Sequence, residues 1–248
     1  MFSEEKKDYL RKFEDEFCGK CEICHGTGAP CSCHTDLHLE WSYVKSEIPL
    51  EHIVLTLDDI IQSDLASVKA QIKTYIDNLD ENIKTGQGLL LCGDYGTGKT
   101  SFGCIVLKEA IKAGHSGYFA SLEDCVTMVT KGWRDKVMQE EFENRILNSK
   151  VLLLDDIGGT EIHTPGNHAL ITSTFTTLFT ERGSNLRPTI ITSNLKPETL
   201  RINYGPRLYS VMMQRLDFIE IDAQFDYRQI KLSNNAKKYQ IIPRRITK

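Results

Sequence analysis

The stretch Leu89 to Thr100, LLLCGDYGTGKT, limits the fold more than any other part of the chain. Four apolar residues run straight into G-x-x-x-x-G-K-T, the pattern of a buried strand that turns through a glycine-rich loop and opens a helix. Gly93, Gly96 and Gly98 let the backbone turn tightly and bring its N–H groups to a β-phosphate. Lys99 supplies a positive charge for the β and γ oxygens, and Thr100 offers a hydroxyl to Mg²⁺ at the start of the helix. Asp94, Tyr95, Thr97 and Ser101 complete the expected nucleotide-holding segment. A glycine turn that merely closed a strand-helix unit would need neither the lysine nor the threonine.

The second half of such a site is expected at VLLLDDIGG, residues 151–159. Asp155 ends a strand apolar enough to be buried on both faces, so its carboxylate can hold Mg²⁺ opposite Thr100. Asp156, one residue on, is placed to orient or deprotonate an attacking water. Strands are also read at Gly117 to Ala120, Pro188 to Thr192 and Phe218 to Ile221, with helices at Thr100 to Ala113, after Ser121, and at His168 to Thr180. The alternation of strand and helix predicts a parallel sheet covered by helices. If the strands are parallel, Asn194 in IITSN emerges on the same sheet edge as the phosphate loop and Asp155.

GDYGTGKT, VLLLDDIG and IITSN in this order resemble the AAA+ ATPases, and more narrowly the DnaC-type replicative helicase loaders. YFASLED at 118–124 and RLYSVMMQRL at 207–216 support the likeness, which covers roughly residues 45 to 230. The resemblance implies ATP and ADP as ligands and a five-stranded parallel sheet of order 5-1-4-3-2, with Asn194 as the sensor 1 residue. It further implies that Arg215 is an arginine finger acting on a neighbouring subunit, with Arg207 as a rival, and that Arg228 in FDYR is the sensor 2 arginine. An arginine reaching across a subunit boundary stabilises charge on the transferring phosphoryl group only after assembly. The family often carries glutamate after the metal-binding aspartate, so Asp156 is a departure, with a shorter reach.

Five of the eight cysteines fall between positions 18 and 33, in CGKCEICHGTGAPCSCH. Cys21 and Cys24 form a C-x2-C knuckle and Cys31 and Cys33 a C-x-C pair, a thiolate set suited to tetrahedral Zn²⁺. Cys18, His25 and His34 are alternative ligands, and Cys18, Cys21 and Cys24 together also fit the C-x2-C-x2-C start of an iron-sulfur site. The spacing is similar to a zinc module that precedes the ATPase in many loaders of this family. So small a segment buries little, and a metal contributes its folding energy.

The expected organisation is an amphipathic helix and zinc module over 1–46, a linker and lead-in helix over 47–85, the ATPase domain over 86–230 and a basic tail over 231–248. The lead-in helix carries Val68, Ile72, Ile76 and Leu79 and ends near Gly86, while 36–49 reads as irregular. The net charge of -4 argues against a dedicated nucleic-acid binder, but Arg228 to Lys248 holds seven basic residues and no acidic one. Candidates for a single-stranded DNA groove are Lys131, Trp133, Arg134 and Lys136, and the pair Arg182 and Arg187. The first residues lack a secretory pattern and no window is apolar enough for a membrane span, so a cytoplasmic ATPase is expected.

The function these readings predict is a Mg²⁺-dependent ATPase that binds a hexameric replicative helicase, self-associates on ATP or DNA, and helps place the helicase on single-stranded DNA. A transposition helper acting on a transposase and duplex DNA shares the core motifs. A zinc-centred, nucleotide-gated adaptor with little hydrolysis is the alternative of another class.

Overall fold

The computed structural model describes residues 2–25, 31–60, 63–132, 134–158 and 167–222. Five parallel strands form one sheet: β1 (Gly88–Cys92), β2 (Gly117–Ser121), β3 (Val151–Ile157), β4 (Thr189–Ser193) and β5 (Leu216–Glu220). Their spatial order is β2-β3-β4-β1-β5, the expected 5-1-4-3-2 arrangement. β1 and β4 are buried along their whole length. Neighbouring residues of a strand serve opposite layers, so Leu89, Leu91, Leu153, Ile190 and Ile219 enter one core and Leu90, Leu152, Leu154 and Ile191 the other.

The first layer is built by α2 (Ser32–Lys45), α3 (Leu50–Ile53), α4 (Ala66–Asp77), α5 (Leu79–Thr85) and α6 (Lys99–Lys112), preceded by α1 (Glu4–Phe13). The second is built by α7 (Leu122–Gly132), α9 (Asn167–Ser184), α10 (Pro197–Tyr204) and α11 (Pro206–Met213), with α8 (Lys136–Glu141) beside α7. The lead-in helix is two helices, because the chain breaks at Asn78. α5 then stops where Gly86 takes φ +75°, a left-handed turn in which a β-carbon would come within 2.8 Å of Leu186 Cα.

Residues 36–49, read from sequence as irregular, are mostly helical, since α2 runs to Lys45. Its pattern is scrambled because Glu40 is buried, accepting a hydrogen bond from the Tyr9 hydroxyl at 2.8 Å, while Trp41 stays exposed and stacks at an angle on Phe2. Tyr43 and Val44 of α2 and Leu10 of α1 share the hydrophobic core with Leu107 and Ile111 of α6. The segment after α2 also covers the sheet edge, where Phe119 N–H donates to Ser46 O at 2.8 Å. Lys108 of α6 completes the attachment: its buried ammonium donates to Ile53 O at 2.7 Å and to Leu55 O, with the Tyr43 ring 6.0 Å away.

Arg182, proposed from sequence as a groove residue, is 1% exposed and belongs to the interior. Its guanidinium donates to Ile146 O (2.7 Å), Ser149 O (2.9 Å), Pro188 O (2.8 Å) and Thr189 Oγ1 (2.9 Å), tying the end of α9 to the turns before β3 and β4. Burial pulls its pKa down to about 9, which still leaves it charged at neutral pH. Arg182→Ala strips these carbonyls of their donor and is expected to destabilise the fold by about 3 kcal/mol or more, read as a lower urea midpoint with an unchanged m-value. A midpoint equal to wild type would show that water replaces the guanidinium there.

Candidate nucleotide and metal sites

All five strands run the same way, so the loops that follow β1, β3 and β4 meet at one edge of the sheet. Gly93 starts the loop after β1 where a β-carbon would meet Ile221 O at 2.3 Å. Gly96 and Gly98 take φ +75° and +91°, and Gly98 is the N-cap of α6, whose first residues are Lys99, Thr100 and Ser101. Lys99 is buried, and its ammonium donates to Gly93 O (2.9 Å) and Asp94 O (2.7 Å), across the concave side of its own loop. Thr97 is buried and its hydroxyl ties to Asp94 O at 2.9 Å, bracing the same turn.

Thr100 Oγ1 donates to Asp155 Oδ1 at 2.9 Å, joining the two halves that the sequence separates by 55 residues. Thr192 Oγ1 donates to the same oxygen at 2.6 Å and accepts from Asp156 N–H at 2.9 Å. β3 carries a register shift here: Leu154 opposes Ile191 and Ile157 opposes Ser193, so Asp155 and Asp156 together face Thr192. Such a bulge re-aims side chains, and it leaves Asp156 exposed at φ +58° while Asp155 points to Thr100. Burial lifts the Asp155 carboxyl above its usual range, against the Thr192 and Thr100 hydroxyls that hold it down. A carboxylate and a hydroxyl in contact are hard oxygen donors that fit Mg²⁺. Thr192 is the site residue that sequence reasoning missed; its signal was a second hydroxyl inside the buried strand TIITS.

Asn194 follows β4 at this same edge, as expected from parallel strands. Its Nδ2 donates to the Tyr95 hydroxyl of the phosphate loop, and its Oδ1 is buried without a hydrogen-bond partner among the described residues. Arg215 lies at the opposite edge, directly before β5, where its carbonyl accepts from Gly88 N–H at 2.8 Å. Its Nη1 donates to Thr85 O at 2.9 Å, and it lines a cleft of about 220 Å³ with Gly86, Gly183 and Arg187. Arg207 is exposed on the first turn of α11. Arg228, Trp133 and the basic tail lie outside the described residues.

The sulfurs of Cys21, Cys24, Cys31 and Cys33 all lie within 4.8 Å of one another. Four Zn–S bonds of about 2.3 Å place sulfurs about 3.8 Å apart, so this set fits a tetrahedral zinc. Cys31 is the N-cap of α2 and Cys33 sits in its first turn, which anchors half of the set on a helix. Backbone N–H groups of Cys24 and Ile23 pull the Cys21 thiol down to about 6, toward the thiolate a metal needs. Cys18 stands aside, donating to Cys33 O at 3.4 Å, and burial raises its pKa. His25 is exposed, and His34 Nε2 is buried without a partner among the described residues.

Sheet order, phosphate loop and acidic strand end together define a P-loop protein of the AAA+ class. The family model of IstB-like ATP binding proteins matches residues 52–219, more than half of the chain, and the chain belongs to that family. An insertion-sequence IS21-like ATP-binding protein of Bacteroides fragilis is 37% identical over 76 residues, 30% of this chain and 37% of that protein's length. The crystal structure of the DnaC helicase loader matches with 26% identity and a TM-score of 0.59, covering 70% of this chain and 99% of that one. The crystal structure of DnaI matches at 22% identity and a TM-score of 0.56, over 72% of this chain and 93% of that one, and speaks for the fold alone. Among the described residues no helix is long and apolar enough to cross a membrane.

Proposed function

We propose that this chain is an ATP-hydrolysing loader that carries a hexameric replicative helicase to single-stranded DNA. The observation that carries this reading is the joint between the two sites: the helix that starts at Cys31 and the helix that starts at the phosphate loop share one core. A partner held by the cysteine module would thereby be mounted on the helix that packs against α6. The likeness to the DnaC helicase loader over nearly the whole of that chain supports the choice of partner.

In the proposed reaction the loop 93–101 holds ATP, and Thr100 with Asp155 would hold Mg²⁺, which supplies charge neutralisation at the β and γ oxygens. Asp156 takes the proton of the attacking water as its oxygen bonds the γ-phosphorus. The bond to the bridging oxygen breaks, giving ADP and phosphate. Asn194 orients that water, while Arg215 of a neighbouring copy stabilises the developing charge, with Arg228 as a further candidate. Cys21, Cys24, Cys31 and Cys33 would hold Zn²⁺, which would supply the folding energy of the surface that meets the helicase.

Co-purification tests the reading. The full chain with ATP and single-stranded DNA is expected to retain the replicative helicase encoded in the same genome, and Cys21→Ser is expected to lose it. A specific observation favours a second reading, a transposition helper: the relative from Bacteroides fragilis is IS21-like. Retention of a transposase on duplex DNA, with no helicase retained, would select it.

A further inference from the structure

We infer that Cys18 is a reserve ligand of the cysteine site: when Cys33 is lost, the Cys18 thiol takes its place and the metal keeps four sulfurs. The inference rests on the zinc reading above and adds a fifth thiol to its set of four. Three observations carry it. Cys18 is 4% exposed and packs in one buried cluster with Cys24 and Cys33, so its sulfur faces the site rather than solvent. Its thiol donates to Cys33 O at 3.4 Å and is also in hydrogen-bonding contact with the Cys33 sulfur. It ends a π-helical turn, Glu14–Cys18, that continues α1, and such single π turns are rare and recur at functional sites.

A tetrahedral Zn²⁺ is complete with four ligands, so a fifth thiol serves only by substitution. The geometry decides for which one. Cys18 lies outside the group whose sulfurs are all within 4.8 Å of one another, beside one corner of it. That corner is Cys33, whose sulfur lies 3.4 Å from that of Cys24 on the buried side, while Cys21 and Cys31 pair at 3.5 Å on the half-buried side. Cys18 therefore has a short way to the place of Cys33 and a longer one to those of Cys21 and Cys31. It binds as the thiolate and releases its proton to the buffer, as each of the four ligands does, so the site keeps the charge of a four-cysteine centre. The tie to the chain moves with it. Cys33 anchors the metal in the first turn of α2, whereas Cys18 anchors it at the end of the helix begun by α1.

The test loads the full chain with Zn²⁺ and, in a second arm, with Co²⁺, a tetrahedral stand-in whose charge-transfer absorption counts bound thiolates. Cys33→Ser is expected to retain about one zinc per chain and the four-thiolate spectrum of wild type, as is Cys18→Ser. Cys18→Ser combined with Cys33→Ser, and Cys31→Ser alone, are expected to lose that spectrum and to bind zinc at least about tenfold more weakly. A three-thiolate spectrum in Cys33→Ser overturns the inference. So does a Cys31→Ser protein that keeps four thiolates, because the substitution is then not tied to the corner that Cys18 touches. Loss of metal from Cys18→Ser alone also overturns it, since Cys18 is then a standing ligand and not a reserve. A wild-type chain that binds neither metal ends the zinc reading and the inference together, whereas a four-thiolate wild type with no rescue of Cys33→Ser ends the inference alone.

Discussion

Arg215→Ala is expected to lower ATP turnover by about a thousandfold, roughly 4 kcal/mol of transition-state stabilisation, while ATP binding stays within about twofold. The split follows from where the residue sits. Arg215 precedes β5, whereas the phosphate loop leaves the far end of the adjacent β1, and five strand residues separate the two edges by about 17 Å. The guanidinium also turns away from its own site, donating to Thr85 O and resting over Gly183, 3.7 Å from a β-carbon built there. In the proposed role it would act on the nucleotide of another copy, after assembly. Mixing gives the decisive measurement. Arg215→Ala has an intact site and no finger, and Asn194→Ala has a finger and a disabled site. Combined at concentrations where the chain self-associates, the two are expected to recover turnover that neither shows alone. A mixture as inactive as its parts would mean that Arg215 does not act across a subunit boundary.

Much of this site was legible because its chemistry lies at strand ends. In a parallel sheet every such end falls on one edge, so Gly93, Asp155 and Asn194 meet once the strands are identified. The clustering of the four cysteines was legible for a different reason: their spacing is local, and α2 merely fixes two of them. What stayed hidden depends on backbone groups or on one tertiary contact. Arg182 near the end of α9 reads as a solvated cation, since carbonyls of the turn at Ile146 to Lys150 carry no side-chain signal. Glu40 broke the apolar pattern of α2, yet Tyr9, 31 residues away, satisfies it. The bulge itself is invisible as well: the sequence orders Asp155 toward Thr100 and Asp156 beyond it, but carries no sign of the register shift that brings Thr192 opposite both.

Removing the metal, by a chelator or by Cys24→Ser, is expected to abolish helicase retention while leaving nucleotide binding in place. Among the described residues the apolar cluster around the four sulfurs consists of cysteines and Leu37, too little burial to order a turn on its own. A structural zinc supplies on the order of 10 kcal/mol in such small modules, so the segment from Cys18 to Cys33 is expected to lose its protection against hydrogen exchange altogether. The loss should stop within α2. Tyr43 and Val44 are held by the ATPase core, Lys108 clamps the carbonyls of Ile53 and Leu55, and none of these contacts passes through a cysteine. The expected exchange map therefore shows a sharp boundary between the start of α2 and Tyr43, with α6 unchanged and ATP affinity within about twofold of the metal-loaded chain. Zinc content near one per chain, falling to zero with retention of the helicase, fits a module that attaches a partner. Full retention of the helicase by the metal-free chain would place the docking surface elsewhere and leave the four cysteines without the role given to them.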